Sequence, residues 1–533
     1  MKKTLATLLA VILCLTMLAP MAIAEEYGYA TNIIGDGSQT LSLTCYQNWD
    51  AAAYYDSEEG LLIPNVIEEI TGVKIDWECI PDANYDVVAQ TRLAAGIDLP
   101  DIMRVPVVTG ALIKYADEGL FINLSEYISE ENTPNIWKRF QESPYLQAIS
   151  TAPDGNVYGL PYTEIGTNDI MVHWVDIRKD WLDNLGLEMP TTLEEYHDVL
   201  VAFKEQDANG NGDPNDEIPL GYQNEGMFGL FAFKGCFGLS YGADKWYVDE
   251  NGKVQLALVD SRLKDMYKML NDWYNEGLLY TDVSNTGWQD LVAQDRLGSQ
   301  TLLALDNVMT NQGLAYDITP EAEYVYIPLL DNAGYYNGTS VPQDQKELDK
   351  RSNGYWGYFA VTADCEDPLL AVKWLDYVWG SQESQDLRYW GIEGVTYDVV
   401  DGQKVFKPEI VNSPKGAISE MRSYGGWPNY VGFESGEAFL GMFKGTYPEK
   451  AYEEFSPYLR DQIPALLGTP EEDEVYQQYY ADLETYFKES TIGFITGTKS
   501  IDEWDSYVQT CYDMGLAEVL EIRQAWWDRY QSF

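Results

Sequence analysis

With 533 residues, 86 of them acidic and only 34 basic, the chain carries a formal net charge of −52. A field of that sign excludes nucleic acid and anionic membrane as partners and suits neutral or cationic ligands. The length exceeds what one hydrophobic core supports and predicts two lobes, while two histidines leave little for histidine catalysis or zinc.

Met1-Lys2-Lys3, an apolar run from Leu5 to Leu18, a break at Pro20 and the small residues Ala22-Ile23-Ala24 follow the order of a secretory signal. Residues 1–24 are therefore expected to be a signal peptide on a protein that works outside the cytoplasmic membrane; kept uncleaved, the same run is an anchor. Cys14 lies inside the apolar run after Ile12-Leu13, so no lipid-attachment motif is seen. Cys45, Cys79, Cys236, Cys365 and Cys511 lack metal-like spacing and read mostly as buried thiols. Residues 25–40, with glycines and little periodicity, look like a flexible tether.

Leu41 to Tyr46 alternates as a strand and delivers Asn48-Trp49-Asp50 at its end. A helix over 58–70, a strand over 73–80, a helix over 85–95 and a short buried strand over 102–105 follow. Such alternation predicts an α/β fold with a largely parallel sheet. Thr192-Leu-Glu-Glu195 is a capping box, and Leu193, Tyr196, Val199, Leu200 and Phe203 make one apolar helical face. Further amphipathic helices are expected over 262–275 and from Asp367-Pro368. The last fifth is helical, with Ser500 as a cap and Gly515 as a break.

Between the capped helix and the next strand, Asp207, Asn209, Asn211, Asp213, Asp216 and Glu217 alternate with small residues. Side-chain oxygens at the first, third and fifth places converge if the chain turns at the sixth, which is Gly212, and the carbonyl of Asp213 serves the seventh. Hard oxygen donors of this kind select Ca2+. The twelfth place is Ile218 instead of a bidentate Glu, and the late acids Asp216 and Glu217 come early.

Several stretches occur together: Arg178-Lys-Asp180-Trp181, the capping box with Asn209-Gly-Asn-Gly, Asp216-Glu217-Ile-Pro219-Leu, Gly391-Ile-Glu393-Gly-Val-Thr-Tyr397, Phe494-Ile-Thr496-Gly and Gln524-Ala-Trp-Trp-Asp528-Arg529-Tyr530. In this order they resemble the large family-1 extracellular solute-binding proteins of carbohydrate ABC importers. That resemblance implies a two-lobe periplasmic-binding-protein type II fold with helical C-terminal additions. It implies an oligosaccharide ligand, ABC permease subunits as partners and a calcium ion held away from the sugar. It also implies crossings between lobes near Gly166, near Gln300 to Ala304 and near Asn353 to Phe359. The expected division is 41–166 plus 300–353 for the N-terminal lobe and 167–299 plus 354–533 for the C-terminal lobe.

Sugar rings need flat aromatic platforms and polar groups for their hydroxyls. Trp49, Tyr162, Trp288, Trp356, Trp390 and Trp427 sit in expected loops, with Asn48, Asp50, Asp306, Asn307 and Glu393 as polar partners. Each of these aromatics is equally at home packed under a loop. Gly238-Leu-Ser240-Tyr-Gly242 matches a nucleophile elbow, but that fold needs its histidine after the serine, and His173 and His197 both precede it. The resemblance implies binding without catalysis, and the chain is expected to be a monomer. A glycoside hydrolase using two carboxylates, or a glycan sensor or adhesin, is the alternative.

Overall fold

The computed structural model describes residues 22–47, 61–105, 110–164, 171–172, 174–222, 225–239, 241, 245–281, 287–302, 311, 315, 319–337, 348–350, 357–413, 416–427, 432–460 and 462–533. Two sheets organise them. In the first, the order is Val73–Pro81, Gln39–Gln47, Ile102–Val105, Tyr358–Val361, Leu160–Pro161. The first three strands run parallel, and Tyr358–Val361 is antiparallel to both of its neighbours. The helix Leu62–Thr71 covers this sheet because Ile63, Val66, Ile67 and Ile70 share one face, and Gly72 ends it at φ +67°.

The second sheet has the order Tyr324–Tyr326, Trp174–Arg178, Leu297–Leu302, Ile218–Tyr222. Trp174–Arg178 is antiparallel to both neighbours, and Leu297–Leu302 is parallel to Ile218–Tyr222. Helices Leu193–Glu205 and Ser261–Asn275 supply its core through Tyr196, Leu200, Phe203, Met266, Leu270 and Trp273.

A small third sheet joins these bodies. Leu459–Arg460, Leu348–Lys350 and Met171–Val172 lie side by side. Each is on a stretch of chain passing from one large sheet's surroundings to the other's, so three passages are gathered in one narrow ribbon.

This topology revises the expected division. The strand Tyr324–Tyr326, assigned to the N-terminal lobe, pairs in the second sheet, so the chain does not change sheets for good near Gln300 to Ala304. The strand Tyr358–Val361, assigned to the C-terminal lobe, pairs with Ile102–Val105 in the first sheet. Residues 376–379 follow it there: Trp379 Nε1 donates to Pro161 O at 2.8 Å, and Asp376 accepts from Ile136 N–H at 2.7 Å. Long-range strand pairing decides the matter, and it leaves no local mark in the sequence.

The helical C-terminal layer is as expected. Thr469 and Glu472 form a capping box at the head of the 27-residue helix Pro470–Thr496, and Trp504–Asp513 and Leu516–Gln531 follow it. The layer packs on the second body: Tyr267 stacks on Phe494 at 5.5 Å, and Tyr507 donates to Leu258 O at 3.0 Å. The segment read as a tether is pinned. The N–H groups of Asn32, Ile33 and Ile34 bond to the carbonyls of Glu69, Ile70 and Thr71, and residues 39–40 already belong to a strand. Backbone capture at the end of a helix needs no hydrophobic periodicity, so the sequence pattern is silent about it.

Candidate functional site

The oxygen-rich loop is presented by the helix Leu193–Glu205, held to the second core by its buried apolar face. Gly210 and Gly212 take φ of +72° and +94°, which side-chain-bearing residues rarely adopt, and reverse the chain. Asp207 Oδ2 accepts from Gly212 N–H at 2.9 Å, Asn209 Oδ1 from Asn211 N–H at 2.9 Å, and Asn211 Oδ1 from Asp213 N–H at 2.7 Å. Glu217 Oε1 accepts from Ala208 N–H at 2.9 Å, closing the loop across its base. Burial, then the neighbouring Asp216, raises the Glu217 carboxyl above the ordinary carboxylate range.

Three carboxylate oxygens in this loop, Asp207 Oδ1, Asp216 Oδ1 and Glu217 Oε2, are buried without a hydrogen-bond partner. Such atoms are costly to bury unless something meets them. The donor set therefore fits a hard cation, with amide and main-chain oxygens completing the carboxylates. Among the described residues, three or more His, Cys, Asp or Glu side chains are nowhere gathered tightly in metal-holding geometry. Asp213 Oδ1 accepts from Asn215 N–H at 3.2 Å and Nδ2 at 3.0 Å, and Asp216 Oδ2 accepts from Asn211 Nδ2 at 3.0 Å.

The loop is wired to the second sheet. Asn209 Nδ2 donates to Asp295 O at 2.9 Å, and Arg296 Nε donates to Asp216 O at 2.9 Å. Asp295 in turn pairs with the fully buried Arg178, which also grips Asp180 through Nε at 2.8 Å and Nη2 at 2.6 Å. Sequence reading did not connect Arg178 or Asp295 with the loop. Only the pairing of Leu297–Leu302 with Trp174–Arg178 brings them together.

The aromatic candidates divide. Trp49, Asn48, Asp50, Asp306, Asn307 and Trp356 lie outside the described residues. Tyr162, Trp390 and Trp427 are interior packing groups, at 4%, 2% and 7% exposure, and do not stand as open platforms. Trp390 stacks on Phe406 at 4.6 Å and 21°, and a Cβ at Gly441 would fall 2.6 Å from its ring. Trp427 meets Tyr389 edge-on at 4.9 Å. Tyr162 donates to Glu434 Oε1 at 2.7 Å and lies 3.4 Å from the Tyr389 hydroxyl, so Tyr389 joins Tyr162 to Trp427. Burial, then Glu434, then Tyr389, pushes the Tyr162 phenol well above its ordinary pKa. Glu434 and Tyr389 are polar members of this cluster that spacing alone did not single out. Trp288 is half-buried at the head of the helix Trp288–Ala293, and Glu393 is exposed.

Residues 56–383 match the family described as bacterial extracellular solute-binding protein. The fructooligosaccharide ABC transporter substrate-binding protein FusA of Streptococcus pneumoniae serotype 4 is 29% identical over 517 residues, 90% of this chain and 88% of that protein. The crystal structure of the alginate-binding protein AlgQ2 without calcium ion has a TM-score of 0.76 at 23% identity, covering 94% of this chain and 100% of that one. FusA of S. pneumoniae in complex with kestose gives 0.72 at 24%, and an EF-hand mutant of FusA with fructo-nystose gives 0.72 at 23%, each covering 93% of this chain and 100% of the other. The structural likeness establishes a two-lobe fold, and the family match spans more than half the chain. The protein belongs to the bacterial extracellular solute-binding proteins.

Proposed function

We propose that this chain is the substrate-binding subunit of a carbohydrate ABC importer, capturing an oligosaccharide between its two bodies and presenting it to membrane permease subunits. The observation that carries this is the narrow ribbon of Leu459–Arg460, Leu348–Lys350 and Met171–Val172 between two large sheets. A joint of few strands lets two bodies swing. A ligand that touches both bodies only when they are closed favours closure by that difference in contact. FusA, named for fructooligosaccharides, and AlgQ2, named for alginate, supply the carbohydrate class by likeness.

The acidic surface favours a neutral saccharide over a uronic-acid chain. Trp49, Asn48, Asp50, Trp288, Asp306, Asn307, Trp356 and Glu393 are the proposed contacts. Tyr162 and Trp427 act from beneath, as packing around Tyr389 and Glu434. Residues 1–24 act as an export signal, and the protein works as a monomer outside the membrane. Among the described residues no helix is long and apolar enough to cross a membrane.

In the same proposal calcium is a structural clamp on the second body. Asp207, Asn209, Asn211, the main-chain carbonyl of Asp213, Asp216 and Glu217 would hold it. When bound, it supplies positive charge to carboxylate oxygens that otherwise have no partner. The EF-hand of FusA, and an AlgQ2 structure determined without calcium ion, agree with this by likeness.

Calorimetric titration of the calcium-loaded protein with kestose, longer fructooligosaccharides, uronic-acid oligomers and other glycans tests the proposal. One-to-one binding of a neutral oligosaccharide with no new reducing ends is the expected result. Sustained release of reducing ends would replace binding with hydrolysis.

A further inference from the structure

Within the second body, Asp176, Gln300 and Asn311 form a cluster with no solvent exposure. Asp176 and Gln300 face each other across antiparallel strands, so their side chains emerge on the same face of the sheet. Asn311 spans them: its Nδ2 donates to Asp176 Oδ2 at 2.6 Å and to Gln300 Oε1 at 2.9 Å. Those two bonds use both hydrogens of that nitrogen. Three polar atoms are left over, one on each residue: Asp176 Oδ1, Gln300 Nε2 and Asn311 Oδ1. Each belongs to a group already joined through Asn311 Nδ2, so the remainder is local.

We propose that Asp176, Gln300 and Asn311 build an internal binding site for a single water molecule at the root of the strand that leads out of the joint between the bodies. The stoichiometry of donors and acceptors selects the ligand. With Asp176 ionised, a water donates to Asp176 Oδ1 and Asn311 Oδ1 and accepts from Gln300 Nε2. With Asp176 protonated on Oδ1, it accepts from Asp176 and Gln300 and donates to Asn311. Burial pushes the Asp176 carboxyl up to about 8, so both forms occur near neutral pH, and water serves either one. Turning both amides over, with the Asp176 proton on Oδ2, again leaves two acceptors and one donor. A metal cation would face the Gln300 N–H groups, and an anion would face two oxygens. Buried waters commonly make about three hydrogen bonds to such groups.

The site fastens two strands and the residue at 311 into one unit. Trp174–Arg178 begins two residues after the joint strand Met171–Val172, and Asn311 lies beyond the end of Leu297–Leu302. A crystal structure of the full secreted chain, at a resolution that shows individual waters, decides the matter. The expected result is one peak within hydrogen-bond reach of all three atoms, giving no anomalous signal after rubidium or bromide soaks. Absence of the peak, or an anomalous peak at that point, overturns the proposal. Gln300→Met keeps the volume and removes the donor, and should lose the peak and lower the Tm. A peak of unchanged occupancy in that variant also overturns it.

Discussion

The two large sheets bury their strands by different means. In the first, Ile102, Met103, Val105, Phe359, Ala360 and Val361 are fully buried, and Arg104 is the polar exception on those strands. In the second, Asp176, Arg178, Ser299, Gln300 and Thr301 are all at most 1% exposed. Apolar burial is non-directional and tolerant of neighbours, whereas each buried polar group depends on a particular partner. The second body should therefore be the part of the molecule that single polar substitutions, metal removal and pH disturb.

The largest effect is expected at Arg178. Its guanidinium, over the rings of Trp181 at 4.9 Å and Tyr324 at 5.4 Å, holds Asp180 and Asp295 together. Arg178→Met leaves two aspartates crowded without a cation, and breaking a buried pair in this way costs about 3–5 kcal/mol. Denaturant melts should show that loss, with Arg178→Met/Asp295→Asn recovering part of it. If the double variant is no better than the single, the ion pair is not what Arg178 contributes.

Metal removal comes next. At a calcium concentration one hundredfold above Kd, binding to the folded loop alone adds about 2.7 kcal/mol. Chelation should lower the Tm of the wild-type protein, and Asp207→Ala should abolish that sensitivity. Because Asn209 and Asp216 contact Asp295 and Arg296, chelation should also raise amide exchange at the start of Leu297–Leu302. Identical melting with and without chelator would remove calcium from the account.

The turn at Asp207 to Glu217 was legible because its chemistry is local: seven oxygen-bearing residues and two turning glycines lie within eleven positions. The strand Ile102–Val105 and the helices from Leu193, Ser261 and Pro368 were legible for the same reason, since periodicity and caps are read over one or two turns. The division of the chain was not. Tyr358–Val361 and Tyr324–Tyr326 are both short apolar strands, and nothing in their residues says which sheet each joins. Trp390 and Trp427 misled because an aromatic beside glycine in a loop is as compatible with Phe406 or Tyr389 as with a sugar ring. Gly441, whose missing Cβ makes room for Trp390, lies fifty-one positions away and carries no sign of that contact.

The smallest predicted effect lies where the helical layer of the second body touches the first. Asp473, in the first turn of Pro470–Thr496, rests against Gly110, where an added Cβ would come 2.3 Å from Asp473 Oδ2. Neither carboxylate oxygen has a hydrogen-bond partner, and the residue is 6% exposed. Burial, and then Glu472, raise this carboxyl from its ordinary 3.8 to about 7 against the pull of Arg523 and Arg529. The folded state thus holds the proton more tightly than the unfolded one. Stability from this group is unpenalised below pH 3.8, falls as pH rises towards 7, and is level above it. Asp473→Asn should therefore raise the Tm at pH 7.5, by a gain on the order of 1 kcal/mol, and flatten the decline expected between pH 3.8 and about 7. Parallel pH curves for the two proteins would mean that Asp473 meets a partner as the bodies move, and would remove it from the pH dependence of this contact.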